Sequence, residues 1–202
     1  LWRYTRNMKK LSLEKALPWI LLVGGTIGLI ASFALTYDKI QVLHNPDYQP
    51  SCNINPVLSC GSVMNKPQAS LMGVPNTIFG LMGFSVLITL AVLMLTKVKL
   101  PRFIWRGTWV GLLGGMLFAG YLFFQGVFRI GAICPFCFLI WITMPLMFWY
   151  TTLYNLRHGH FKIAGKVGDW LQKHHLDIIA FWYLLFFGIL LQHFWYYWKT
   201  LI

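Results

Sequence analysis

The chain has 202 residues, of which 57% are hydrophobic, 17% aromatic and only 11% charged, and its formal net charge is +12. That apolar surplus excludes an ordinary soluble domain, and the aromatic content excludes disorder, because such a chain has ample surface to bury. The basic balance raises nucleic-acid binding, but the charges are split among short segments beside hydrophobic runs, so no nucleic-acid partner is expected.

Five charge-free apolar runs follow one another: Leu17–Tyr37, Pro75–Thr96, Gly107–Phe128, Ile130–Leu156 and Ile178–Trp198. Each is about 20 residues or longer, the length that crosses a bilayer as a helix. Backbone in lipid must satisfy its own hydrogen bonds, and the runs lack the alternation of a barrel strand, so the expected fold class is an all-α integral membrane protein.

Positive charge sets the expected orientation. Arg3, Arg6, Lys9, Lys10 and Lys15 precede the first run, Lys97, Lys99, Arg102 and Arg106 follow the second, and Arg157, Lys162, Lys166 and Lys173 follow the fourth. The opposite side receives Lys39, Lys66, Arg129 and Lys199. The N-terminus is therefore expected inside and the C-terminus outside. The expected organisation is a cytoplasmic segment 1–16, a four-helix unit 17–156 with an extracytoplasmic loop 38–74, a cytoplasmic connection 157–177, and a fifth helix with an external C-terminus 178–202. The first run is too long for the apolar region of a secretory signal, so it is read as a retained span.

Small residues four apart, Gly24, Gly28 and Ser32 in the first span and Gly111, Gly115 and Ala119 in the third, should let helices approach closely within the bundle. Pro75 and Pro135 stand where helices should begin, and Pro145 lies inside the fourth span, where it should bend the helix.

All four cysteines fall on the expected external side: Cys52 and Cys60 in the first long loop, Cys134 and Cys137 as Cys134-Pro135-Phe136-Cys137 at the head of the fourth span. Structural disulfides, a metal site and a redox relay compete. Metal is disfavoured because His158, His160, His174 and His175 belong to the cytoplasmic connection, leaving His44 as the sole loop ligand. A C-x-x-C pair closes too small a loop to be an effective staple. It suits exchange: Cys134 should cap the helix, where free N–H groups and the macrodipole favour a thiolate. Cys137 lies one turn deeper, toward an apolar electron acceptor. For the loop pair alone a structural disulfide remains open, but a second pair on the same face favours the relay. Val57, Leu58, Val63 and Met64 suggest a short amphipathic helix over the bundle mouth.

A loop pair separated by seven residues, then C-x-x-C heading a later membrane helix, resembles the bacterial members of the vitamin K epoxide reductase family. The order is the reverse of that in the DsbB type, and Ser59-Cys60 and Asn76-Thr77-Ile78-Phe79-Gly80 extend the resemblance over about Ser51 to Trp141. The resemblance implies a four-helix catalytic bundle plus a fifth transmembrane helix in the bacterial cytoplasmic membrane. It implies a thiol:quinone oxidoreductase that reoxidises a separate DsbA-like, thioredoxin-fold partner and reduces membrane ubiquinone or menaquinone. It casts Cys52 as the exposed cysteine that meets the partner, Cys60 as the shuttle to Cys134, and Cys137 as the quinone-facing cysteine. It also makes Asn76 a hydrogen-bond donor to a quinone carbonyl and Phe79 a ring lining the pocket. Trp141 stands where the family often has Tyr, and can stack and donate but not accept. Lys66 stands where a small hydroxyl residue is common. Resting disulfides are expected within the two neighbouring pairs.

Overall fold

The computed structural model describes residues 2–45, 47–71, 73–161 and 165–199, with residues 2–12, 165 and 166 described by backbone alone. The side chains of Arg3, Arg6, Lys9, Lys10, Lys162 and Lys166, together with Leu1, Pro46 and Ile202, lie outside that description.

Eight helices form among the described residues: α1 Trp2–His44, α2 Cys60–Met64, α3 Thr77–Leu95, α4 Arg102–Phe124, α5 Pro135–Arg157, α6 Gly165–Lys173, α7 His175–His193 and α8 Trp195–Trp198. A 3-10 turn covers Pro67–Ser70, and a π turn at Gln125–Ile130 continues α4. Five of these helices, α1, α3, α4 with its π turn, α5 and α7, are long and apolar enough to cross a membrane. The protein is an all-α, multi-pass membrane protein.

Helix boundaries differ from expectation at two places. α1 runs unbroken through residue 17 and continues past Tyr37 to His44, so neither the inner segment nor the start of the loop is marked by a change of structure. α5 starts at Pro135, as that proline's place suggested, and the first residues of the apolar run, from Ile130, lie before it, where Gly131 adopts a left-handed conformation with φ 70° and closes the π turn. Only Val63 and Met64 of the expected amphipathic stretch are helical; Val57 and Leu58 are held to the segment before α5.

α1 packs on α3 and α5, and α4 packs on α5, while α7 makes a lighter contact with α5. Leu17, Leu21, Phe84, Leu87, Trp105, Leu112 and Met147 form one core, and Trp141, Val127, Phe186 and Phe194 belong to a second that attaches α7. α7 is also tied by the Tyr183 hydroxyl, which donates to Ile142 O at 2.5 Å, and by Trp149 Nε1 donating to His175 O at 3.1 Å. The result is four helices in a bundle and a fifth on its flank.

The small residues of α1 serve that bundle. A Cβ on Gly24 would come within 2.8 Å of Met147 Sδ, one on Gly28 would enter the Phe84 ring, and Ser32 Oγ fills the space beside Gly80. On α4 the pattern divides: a Cβ on Gly115 would lie 2.6 Å from Met144 Cε, whereas one on Gly111 would meet nothing within 4 Å. At the end opposite the cysteines, Arg106 Nε donates to His160 O at 3.0 Å. His160 Nδ1 lies 2.9 Å from Asn155 Oδ1, so α4 and the chain after α5 close together.

Candidate redox site

The site is assembled by a strap between the loop and the chain entering α5. Leu58 and Ile133 form a parallel bridge, in which Ile133 N donates to Val57 O at 2.7 Å and Ser59 N donates to Ile133 O at 3.0 Å. Two residues after Leu58 comes Cys60, and one after Ile133 comes Cys134, so the strap delivers their side chains to one point. Their sulfurs lie 3.2 Å apart.

Local side chains fix the loop in that register. Asn55 Oδ1 accepts from Val57 N and Leu58 N at 3.0 and 2.8 Å, turning the chain into the strap. Asn53 Oδ1 accepts from the Ser59 hydroxyl at 3.0 Å and Gly61 N at 2.8 Å. Ser59 caps α2 by accepting from Ser62 N at 3.1 Å. Cys60 thereby becomes the first residue of α2, fully buried against Leu35, Met64 and Cys134.

Cys52 and Cys60 are joined in a disulfide, and Cys134 and Cys137 are free thiols. The expected neighbouring pairing is thus present in the loop pair and not in the C-x-x-C pair. The exposed Cys52 implied by resemblance is 7% exposed, drawn by its bond to Cys60 into the apolar cluster. Beside it, Tyr48, Gln49, Asn53, Asn55 and Ser62 line an open polar groove, and Ile54 at the loop tip is 66% exposed.

Cys134 caps α5 as its position suggested: its sulfur accepts from Cys137 N at 3.4 Å, and Pro135 occupies the first turn. A hydrogen bond from the Cys137 thiol is the main influence lowering the Cys134 thiol below its ordinary value, with backbone N–H groups adding to it. Burial and the nearby Asp38 charge oppose the shift without cancelling it.

Beneath the sulfurs is a largely apolar cavity between α1, α3, α4 and α5, roofed by α2 and the 3-10 turn. Cys60, Cys134, Cys137, Asn76 and Trp141 line it, with Leu35, Met64, Leu122 and Ile130 among the apolar walls. The Asn76 side chain does not cap α3; its Oδ1 accepts from Leu71 N at 3.1 Å and its Nδ2 donates to Gln68 O at 2.6 Å, pinning the roof. Trp141 is 7% exposed and meets Phe123 edge-on at 5.1 Å. Phe79 is 38% exposed and is not part of the cavity lining.

Sequence reasoning missed several members. Lys39 lines the cavity while its Nζ donates to Met64 O at 3.0 Å, and Gln125 enters from the π turn. Gln68 also lines it, with a buried Oε1 that has no hydrogen-bond partner. Asp38 lies beside Cys52. The only signal for Asp38 and Lys39 was their place immediately after an apolar run, where they read as flanking charges. Among the described residues no three His, Cys, Asp or Glu converge as metal ligands.

A helical membrane bundle holding a disulfide against the buried first cysteine of a C-x-x-C pair defines a membrane protein with redox-capable cysteines. The sequence profile of the Vitamin K epoxide reductase family matches residues 19–152. The chain belongs to that family, whose members are redox enzymes. No curated protein gives a match.

Proposed function

We propose that this protein is a thiol:quinone oxidoreductase that reoxidises a DsbA-like, thioredoxin-fold partner outside the cytoplasm and passes the electrons to ubiquinone or menaquinone in the membrane. The observation that carries this reading is the 3.2 Å approach of Cys60 to Cys134, with Cys137 lining the cavity below. The distribution of Lys and Arg supports a bacterial inner-membrane protein with its N-terminus in the cytoplasm and the cysteines outside.

In this reading a partner thiolate attacks Cys52, the Cys52–Cys60 bond breaks, and Cys60 leaves as a thiolate. The partner's second thiolate then releases Cys52, completing one disulfide on the partner. Cys60 attacks Cys134 of an oxidised Cys134–Cys137 pair, and Cys137 departs as a thiolate. Cys52 displaces Cys134 from Cys60, so the loop disulfide re-forms and both electrons rest on Cys134 and Cys137. The buried thiol exchange needs no solvent, and the lowered Cys134 thiol makes that sulfur a good leaving group.

Apolar walls around a few polar groups support a quinone site, and the unpartnered Gln68 Oε1, an acceptor, suits the hydroxyl of the reduced quinol. A bound quinone would accept two electrons and two protons. Asn76 Nδ2 retains a second hydrogen for a carbonyl, and Trp141 supplies a ring face and one N–H. Phe79, on the outer side of α3, would meet a quinone only beyond the cavity.

Burial of the Cys52–Cys60 bond also favours a second reading, a membrane scaffold with a structural disulfide. Quinone reduction by the purified protein with a small dithiol separates them. The enzyme should reduce a ubiquinone or menaquinone analogue, and Cys137→Ala should not. No reduction by the wild type, or unchanged turnover in the variant, rejects the oxidoreductase.

A further inference from the structure

The Asp38 carboxylate is buried, 5% exposed, at the outer end of α1. Its Oδ1 accepts from the Tyr48 hydroxyl at 2.9 Å, and its Oδ2 lies 3.8 Å from Cys52 Sγ. A sulfur in a disulfide has no hydrogen to donate, so Oδ2 has an acceptor position facing a group that can use it only after the Cys52–Cys60 bond opens. The neighbouring cation does not answer it: Lys39 turns its ammonium to Met64 O at 3.0 Å, and no salt bridge to Asp38 forms among the described residues.

The other sulfur of the bond has different surroundings. Cys60 faces Cys134 Sγ at 3.2 Å, and Leu35, Met64 and Val63 complete its apolar shell, with no carboxylate oxygen hydrogen-bonded to it among the described residues. The titratable groups around the loop pair are thus Asp38 and Lys39 from α1, Tyr48 and Lys66 from the loop, Cys134 at the cap of α5 and Cys137 within it. Only Asp38 brings a carboxylate oxygen to a loop sulfur, and it does so at Cys52.

Resting on the relay reading, we propose that Asp38, held by Tyr48, sets the polarity of the loop pair. It makes Cys52 the sulfur that bonds to the incoming thiol and then holds a proton until it displaces Cys134 from Cys60, and Cys60 the sulfur that leaves as thiolate and goes on to Cys134. The physical reason is the carboxylate's charge. A thiolate beside it is destabilised, so Cys52 is the poorer leaving group, and an attacking thiolate expels Cys60 instead. Two electrons enter from the partner dithiol, which becomes a disulfide. The proton taken up by the released Cys52 sulfur is held toward Oδ2. Asp38 is a positioning residue in this scheme, because it forms no bond to either substrate.

The test uses the full chain in detergent, fully reduced, with iodoacetamide pulses between about pH 6 and 10 and peptide mass spectrometry reading Cys52 and Cys60 separately. In the wild type the Cys52 midpoint should lie above that of Cys60 by about one pH unit or more. Asp38→Asn should lower the Cys52 midpoint by about one unit, roughly a tenfold gain in its alkylation rate below both midpoints, and Asp38→Glu should restore it. A Cys52 midpoint unmoved by Asp38→Asn overturns the proposal. Should that variant fail to fold, the wild type decides alone: a Cys52 midpoint at or below that of Cys60 overturns it. Neither quinone nor partner enters this measurement, so its failure is distinct from failure of the quinone assay.

Discussion

The sulfurs of Cys60 and Cys134 lie 3.2 Å apart although 74 residues separate them in the chain. Thiol–disulfide exchange needs an attacking sulfur in contact with the sulfur attacked, and the loop strap supplies that contact before any partner arrives. Cys52→Ala removes the group that would resolve a Cys60–Cys134 bond. After mild oxidation, the non-reduced peptide map of this variant should contain Cys60 linked to Cys134. Free Cys60 beside an intact Cys134–Cys137 bond would show that the contact is not used for exchange.

Asn53 is the side chain that holds Cys60 in that register, since one oxygen accepts from both the Ser59 hydroxyl and Gly61 N. Asn53→Ala leaves both donors without their partner, a loss of about 1–3 kcal/mol of loop stability. Asn53→Asp keeps an acceptor. Hydrogen exchange at Gly61 should therefore rise in the Ala variant, and the yield of the Cys60–Cys134 link should fall, with Asp lying nearer the wild type. Equal exchange in all three proteins would assign the register to the Leu58–Ile133 bridge alone.

The lowered Cys134 thiol gives a prediction in pH. Its principal cause is the hydrogen bond from the Cys137 thiol, which stabilises the thiolate form of Cys134. Removing that donor in Cys137→Ala leaves burial and the Asp38 charge to act in the opposite sense, so the Cys134 midpoint must move up. A small neutral alkylating reagent, followed by peptide mass spectrometry across pH, should show Cys134 reacting at higher pH in the variant. An unchanged midpoint would transfer the effect to the backbone N–H groups at the head of α5.

How much of this was legible in sequence depended on the range of the interaction. The spans were plain because each is one continuous apolar run, and the cap role of Cys134 was plain because Pro135 follows it directly. The Leu58–Ile133 strap could not be read, since neither residue has a partner within its own segment. Asp38 was hidden for another reason: α1 continues as helix beyond the apolar run, carrying a charge that looked like a flank into the apolar sulfur cluster. Cys52, which the resemblance casts as exposed, is buried because its disulfide to Cys60 draws it into the apolar cluster. The cavity lining was legible for Cys137, Asn76 and Trp141, and not for Gln125, which enters through a π turn that leaves no clear mark in the sequence.

Glycine spacing set the faces of α1 and α4 without telling which face meets a neighbour. A Cβ on Gly28 would overlap the Phe84 ring, whereas one on Gly111 would meet nothing within 4 Å. Gly28→Ala must push aside an aromatic ring at the α1–α3 contact, so a loss of about 1–3 kcal/mol is expected despite the better helix propensity of Ala. Phe84→Leu in the same chain should recover part of it by vacating the overlap. Gly111→Ala adds a methyl to an open face and should be neutral or slightly stabilising. Thermal unfolding in detergent, followed by loss of helical signal, compares the variants directly. Equal behaviour of Gly28→Ala and the wild type would contradict the tight α1–α3 contact, and destabilisation by Gly111→Ala would mean that its face is covered in the protein as it exists in the membrane.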